Sequence, residues 1–238
     1  MSTYTGESVI FGGLPPVVDE ANPTHNLGQK LVTPDGRSFR YVRAGGTALV
    51  AGNLLQSIAE DTGEQDLTPT ATAIGATTIT TSAITVTANQ YAGGYVLVTV
   101  TPGIGQAFKI KSHPASTAAA VTLTLEDPVQ VALTTTSRID LVPNIYEGVI
   151  AHPTTSSGVP VGVAVNDITA NQYGWIQTGG IANVLNDAAG AITVGATVMR
   201  SSSVTGALRA HTGAVPAFGY ALTGIAASEN GAVKLNID

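Results

Sequence analysis

The 238-residue chain reads as an all-β protein: antiparallel β-sandwich or barrel modules with an extended N-terminal arm and very little helix. Three observations carry that prediction. Apolar residues recur at every second position wherever a period is visible, which is the spacing of a half-buried strand. Stretches long enough for a helix are interrupted by Gly or Asn, both poor in helix interiors. Only 11% of residues are charged while 44% are apolar, so the polarity is mostly uncharged Thr, Ser, Asn and Gln, a composition that is also far from that of disordered chains.

Residues 1–29 form the arm. Gly12, Gly13, Pro15, Pro16 and Pro23 interrupt any alternation, so this segment cannot build a sheet of its own. Its apolar residues Val9, Ile10, Phe11, Leu14, Val17 and Val18 would be poorly buried on a free arm. They are expected against a surface, either the chain's own core or a partner.

Residues 30–66 are read as a hairpin region followed by an acidic loop. In Leu31-Val32-Thr33-Pro34-Asp35-Gly36-Arg37-Ser38-Phe39-Arg40-Tyr41, Pro34 presets a turn φ and Asp35-Gly36 supplies the turn residues. Phe39 and Tyr41 then share a strand face with Arg37 and Arg43. Thr47 to Glu60 contains Gly52 and Asn53 and reads as strand, turn, strand. Glu60, Asp61, Glu64 and Asp66 then cluster before Thr68-Pro69-Thr70, a polar turn-forming stretch.

Residues 67–152 are read as a first β module and 153–238 as a second. Val96, Val98 and Val100 alternate with Tyr95, Leu97 and Thr99, the pattern of a strand covered on both sides. Val121, Leu123 and Leu125 alternate with Thr and Glu, and Val129, Val131 and Leu133 repeat that pattern as a further half-buried strand. Val159 to Val165 and Val233 to Ile237 complete the series. Ala115 to Ala120 is too short for an independent helix. Thr87-Ala88-Asn89-Gln90-Tyr91 recurs as Thr169-Ala170-Asn171-Gln172-Tyr173, each time followed by Gly and another aromatic. The physical reading is one turn device used twice, with Asn in left-handed backbone and Tyr packed over the corner.

Composition excludes several functions. Ten Lys plus Arg against sixteen Asp plus Glu give a net charge of −6, without the basic footprint that phosphate neutralisation requires, so no nucleic acid is expected as a partner. No apolar run approaches the ~20 residues of a membrane-spanning helix. Met1 to Phe11 has neither the basic start nor the apolar stretch of a secretory leader. Cysteine is absent, which removes disulfides, thiolate metal sites and thiol nucleophiles together.

A search for chemistry finds little. His25, His113, His152 and His211 are isolated in sequence, show no metal-ligand spacing and are expected on loops or at the surface. Gly103-Ile104-Gly105 lacks the third Gly and the following helix of a dinucleotide loop. Asp61, Glu64 and Asp66 lack the full calcium-loop pattern and read as a solvated acidic loop. Trp175 reads as a core or interface anchor. No catalytic, cofactor-binding or metal-binding residue is assigned, and the chain is not expected to be an enzyme.

The order of features does point to a family. The run Tyr41-Val42-Arg43-Ala44-Gly45-Gly46-Thr47-Ala48-Leu49-Val50-Ala51-Gly52-Asn53-Leu54-Leu55-Gln56, followed by Ala88-Asn89-Gln90-Tyr91-Ala92-Gly93-Gly94-Tyr95, resembles structural proteins of tailed-bacteriophage virions. So do Gly162-Val163-Ala164, Gln172-Tyr173-Gly174-Trp175-Ile176-Gln177-Thr178-Gly179-Gly180 and Val194-Gly195-Ala196. Within that group the chain is most similar to the proteins that decorate or cement an icosahedral capsid. The resemblance implies a homotrimer on the virion surface, with the major capsid protein as partner, assembled in the host cytoplasm and using no cofactor.

Few surface charges and many strand edges fit a body covered by neighbours. An arm adding extended chain to a neighbour would bind by strand addition, with Tyr4, Val9, Phe11, Leu14, Val17 and Val18 as its partner contacts. A tail or head fibre, or a receptor-binding adhesin, is the alternative for a Thr-rich, low-charge β chain. A polysaccharide depolymerase with two distant carboxylates is a third.

Overall fold

The computed structural model describes residues 9–213 and 216–238. In chain order the strands are β1 (Val9–Phe11), β2 (Lys30–Val32), β3 (Ser38–Arg43), β4 (Leu54–Gln56), β5 (Thr78–Val86), β6 (Tyr95–Val100), β7 (Ala107–Ser112), β8 (Ser116–Leu125) and β9 (Arg138–Val142). They continue as β10 (Ile150–Ala151), β11 (Pro160–Ala164), β12 (Tyr173–Leu185), β13 (Thr197–Arg200), β14 (Leu208–Ala210), β15 (Gly219–Ala221) and β16 (Asn230–Asn236). The helical content of the described residues is one 3₁₀ turn, Thr62–Glu64. The fold is all-β, as the alternation predicts.

The chain forms two compact units: Glu60–Asn144 is one, and the segments on either side of it make the other. In the inserted unit the sheet order is β5-β8-β7-β6-β9. The segment 67–72 bonds to both edge strands, through the reciprocal Leu67–Ile139 pair at 2.9 and 3.0 Å and through Thr70 N–H to Thr80 O at 2.9 Å. The segment thus ties the two edge strands together and gives the sheet a small, barrel-like form. Its core is the inward set Ile79, Ile84, Val96, Val98, Phe108, Ile110, Val121, Leu123, Leu125, Ile139 and Leu141. In β5 the inward parity changes from Ile79 and Thr81 to Ile84 and Val86 across an irregularity between Thr80 and Ala83, since an extra residue turns each following side chain to the other face.

The other unit is a larger sheet ordered β1-β2-β3-β12-β16-β15-β13-β14, with β11 joining β12 to β4 and β4 pairing β10. The β2–β3 hairpin forms where the sequence places it, with Gly36 at φ +82° in the turn and Gly36 N–H bonded to Thr33 O at 3.0 Å. Strand β3 is buried on both faces: Phe39 and Tyr41 pack with Leu31 and Trp175, while Val42 packs with Leu55, Val161 and Ile176. Trp175 is thus a core residue.

The repeated pentapeptide is one turn device used twice. Asn89 and Asn171 both occupy left-handed backbone, at φ 60° and 63°. In each copy the Gln N–H bonds back to the Thr carbonyl three residues earlier, Gln90 to Thr87 at 3.3 Å and Gln172 to Thr169 at 3.0 Å.

Three readings need correction. Val129, Val131 and Leu133 do not form a strand: the Gln106 side chain accepts from Gln130 N–H and Val131 N–H, replacing the ladder a strand would need. Strand β6 is covered on one face only, with Tyr95 and Thr99 exposed opposite buried Val96 and Val98. The start of the arm lies on the chain's own sheet, one of the two surfaces expected for it: β1 pairs parallel to β2 on an edge that β3 leaves open. His113 and His152 are buried, each with Nδ1 at hydrogen-bond distance from the carbonyl of the Pro that follows it, 2.9 and 2.8 Å. The His-Pro pair thereby satisfies one ring nitrogen locally and makes burial affordable.

Candidate partner-binding surface

The arm is pinned at two places. At its start, β1 lies against β2, Gly12 N–H bonds to Val32 O at 3.2 Å, and Ile10 packs on the Leu31, Phe39, Tyr41 and Trp175 cluster. At its end, Glu20 and Tyr173 exchange backbone hydrogen bonds, each 2.9 Å. The Glu20 carboxylate accepts from Tyr41 Oη at 2.5 Å and Thr24 Oγ1 at 2.6 Å. Beside it, Asp19 accepts from Thr169 N–H at 2.8 Å, and these Thr169 hydrogen bonds hold the Asp19 carboxyl below its ordinary range.

The second anchor rests on aromatic packing. Rings of His25, Tyr41 and Trp175 meet with centroids 5.0 to 5.2 Å apart, Tyr173 stacks on Tyr41 at 6.0 Å, and the Arg43 guanidinium lies 5.9 Å from the Tyr173 ring centre. Burial pushes the Tyr41 hydroxyl up to about 12, and its bond to Glu20 adds to the shift. The hydroxyl is therefore a donor throughout the working pH range.

Between the anchors lies an apolar strip presented to solvent. Phe11 is 78% exposed and Val17 70%, and Leu14 and Val18 are exposed beside them. Val9 is half-buried in β1. Gly12 N–H points inward to Val32, so the backbone alternation of a parallel pair turns the Phe11 N–H and C=O outward along an open strand edge. Tyr4 lies outside the described residues. Of the predicted contacts, Phe11, Leu14, Val17 and Val18 are exposed and Val9 is half-buried. Sequence reasoning missed the anchors Asp19, Glu20 and Tyr41; the available signal was an acidic pair immediately after an apolar, Pro-rich strip.

Asp187 is buried, accepting from Ser201 Oγ at 2.8 Å and Ala189 N–H at 2.9 Å, with Arg209 Nε at 4.0 Å. That set holds a turn and lacks a base for a nucleophile. Burial, then the nearby Asp61, raises the Glu64 carboxyl. Among the described residues no group of three or more His, Asp or Glu is placed to hold a metal ion. A cavity of about 430 Å³ in the larger unit is lined by backbone, amides and small apolar residues, including Gln177, Ile181, Asn183 and Asn230, with Arg37 as its charged member.

No curated protein and no solved structure matches the chain. Residues 133–237, which carry β9 and all of β10 to β16, match the model of the Phage cement protein family, so the resemblance read from the glycine-based motifs is matched independently over that part of the chain.

Proposed function

We propose that this chain is a non-enzymatic structural protein of a phage virion that binds the outside of the assembled capsid as a cement or decoration protein and stabilises the shell. The single observation that carries this reading is the cement-family match over residues 133–237. In this reading the chain acts as a homotrimer, joins the particle in the host cytoplasm and has the major capsid protein as its partner. The exposed strip supports it: Phe11, Leu14, Val17 and Val18 supply apolar contacts, and the open edge of β1 supplies backbone hydrogen bonds.

The test is co-sedimentation of the purified chain with capsid shells stripped of it. Retention by shells, with none on unassembled capsid subunits, is the expected result. Equal binding to isolated subunits, or none to shells, overturns the reading. Replacing Phe11, Val17 and Val18 together by Ser should lower retention by about tenfold or more while the melting temperature stays unchanged. This variant is preferable to removing residues 1–29, because that deletion also takes away Glu20 and His25, which the fold uses.

A further inference from the structure

Strand β12, in the larger unit, changes neighbours halfway along. Strand β3 pairs with it from Tyr173 as far as Gly179, and β16 pairs with it from Gly179 to Leu185. Two bonds show which way its backbone groups point in the second half. Ile237 N–H bonds to Thr178 O at 3.2 Å, and Leu185 N–H bonds to Gly52 O at 2.9 Å. Successive residues of an antiparallel ladder face opposite sides, so 180, 182 and 184 face β16 while 181, 183 and 185 face away from it.

That outer edge is only partly used. Gln177 Nε2 donates to Gly179 O and Ile181 O, both at 2.9 Å, and Gly52 O takes the Leu185 donor. Ile181 N–H and both backbone groups of Asn183 have no partner among the described residues. They border the cavity of about 430 Å³, with Arg37 packed beside Gly180 at one end and the Ala51–Gly52 turn beside Leu185 at the other. Folded proteins seldom leave such an edge uncovered, and one held between two turns has room for a single short extended segment.

Charge decides what that segment carries. In the larger unit Lys30, Arg37, Arg40, Arg43 and Arg209 each lie within 4.0 Å of a carboxylate. Lys234 is exposed and has no such partner among the described residues. It stands opposite Ile181 across the β12–β16 pair, so the two side chains share a face. Two free N–H groups and an unpaired ammonium, set against one free carbonyl, make a site that seeks acceptors. An extended backbone bearing a carboxylate side chain fits it.

The described residues of a second copy do not supply that segment. Asp19 and Glu20 of the arm are bonded to Thr169 and Tyr41 of their own fold. The exposed acids without a hydrogen bond or ion pair are Asp127, which lies in a bend, and Glu229, whose N–H closes a turn onto Ala226 O.

We propose that the open edge of β12 at Ile181 and Asn183, with Lys234 beside it, is a strand-addition site for an extended segment of a shell subunit that carries an Asp or Glu side chain. It rests on the capsid-binding reading above and adds the chemistry of the partner: backbone pairing to Ile181 and Asn183, and a carboxylate on Lys234.

The experiment measures amide hydrogen exchange in the full chain, free and bound to stripped shells, and compares shell retention of Asn183→Pro and Lys234→Glu with that of the wild type. Proline removes the Asn183 donor while residues 182 and 184 keep their bonds to β16. Slower exchange at Ile181 and Asn183 on binding, with retention of each variant lowered by about tenfold or more at unchanged melting, bears the proposal out. Unchanged exchange at those amides, or wild-type retention of either folded variant, overturns it and leaves capsid binding intact; no retention of the wild type overturns both. Glu7, outside the described residues, has its own variant, Glu7→Gln. A smaller oligomer of that variant or of the other two, read by light scattering, overturns the proposal by making a second copy the occupant. Should Asn183→Pro not fold, the exchange data and Lys234→Glu decide.

Discussion

Tyr41 donates its buried hydroxyl to the Glu20 carboxylate at 2.5 Å, joining the centre of strand β3 to a point on the arm 21 residues earlier in the chain. The bond fixes the return point of the exposed strip. Replacing Tyr41 by Phe keeps the ring packing but leaves Glu20 with its Thr24 contact, and a hydrogen bond to a charged group contributes about 1.5–3 kcal/mol. Tyr41→Phe should lower stability in denaturant titration by that order and speed proteolytic cleavage between Gly12 and Asp19. Unchanged cleavage would remove this bond from the anchoring of the arm.

Acid sensitivity is expected from His152. Its Nε2 is buried without a partner, and burial, reinforced by nearby Arg200, holds its pKa below the ordinary value of 6.5. The unfolded chain therefore binds the proton more readily than the folded one. Stability falls as pH drops below about 6.5, and the loss continues until the depressed folded value is reached. In chemical denaturation from pH 7.5 to 5, His152→Gln should show a shallower decline than the wild type. Parallel curves would assign the decline to other groups.

Glu64 carries the opposite sign. Its Oε2 is buried without a partner, and burial together with Asp61 raises its pKa above the ordinary 4.5. Ionisation at neutral pH then works against the fold, and the penalty disappears in acid, where folded and unfolded chains are both protonated. Glu64→Gln should raise the melting temperature at pH 7 and lose that advantage below about pH 4. A variant that melts lower at pH 7 would show that the carboxylate is held by something more than its visible contacts.

The two Asn turns should respond differently to glycine. Left-handed backbone costs an ordinary residue roughly 1–2 kcal/mol, so Asn89→Ala and Asn171→Ala should both destabilise by about that much. Asn89 Oδ1 also accepts from His113 N–H at 3.0 Å, whereas Asn171 is held through its backbone, with N–H bonded to Gly45 O at 2.9 Å. Asn171→Gly should therefore melt close to wild type and Asn89→Gly well below it. Equal melting of the two would discount the side-chain bond.

Much of the fold is legible in the residues themselves. Val121, Leu123 and Leu125 alternate and are buried, the Pro34-Asp35-Gly36 turn closes its hairpin, and the two Asn turns adopt the backbone their residue types favour. Each is a local matter of period or φ. The errors occur where a distant side chain intervenes. Val129 to Leu133 has the period of a strand, but Gln106 takes up its backbone donors. His113 and His152 carry the composition of loops, yet a local carbonyl and the surrounding packing make each a core residue.

The sequence by itself determined that the chain is all-β, that its arm is apolar and Pro-rich, and that titratable groups are too few and scattered to suggest catalysis. These properties follow from composition and from periods of two, which need no knowledge of neighbours in space. Only the tertiary structure decided that β1 would lie beside β2, that Glu20 would be drawn to Tyr41, and that Phe11, Leu14, Val17 and Val18 would be left outside. Contacts among residues far apart in the chain depend on which strands close against each other, and strand alternation is silent on pairing.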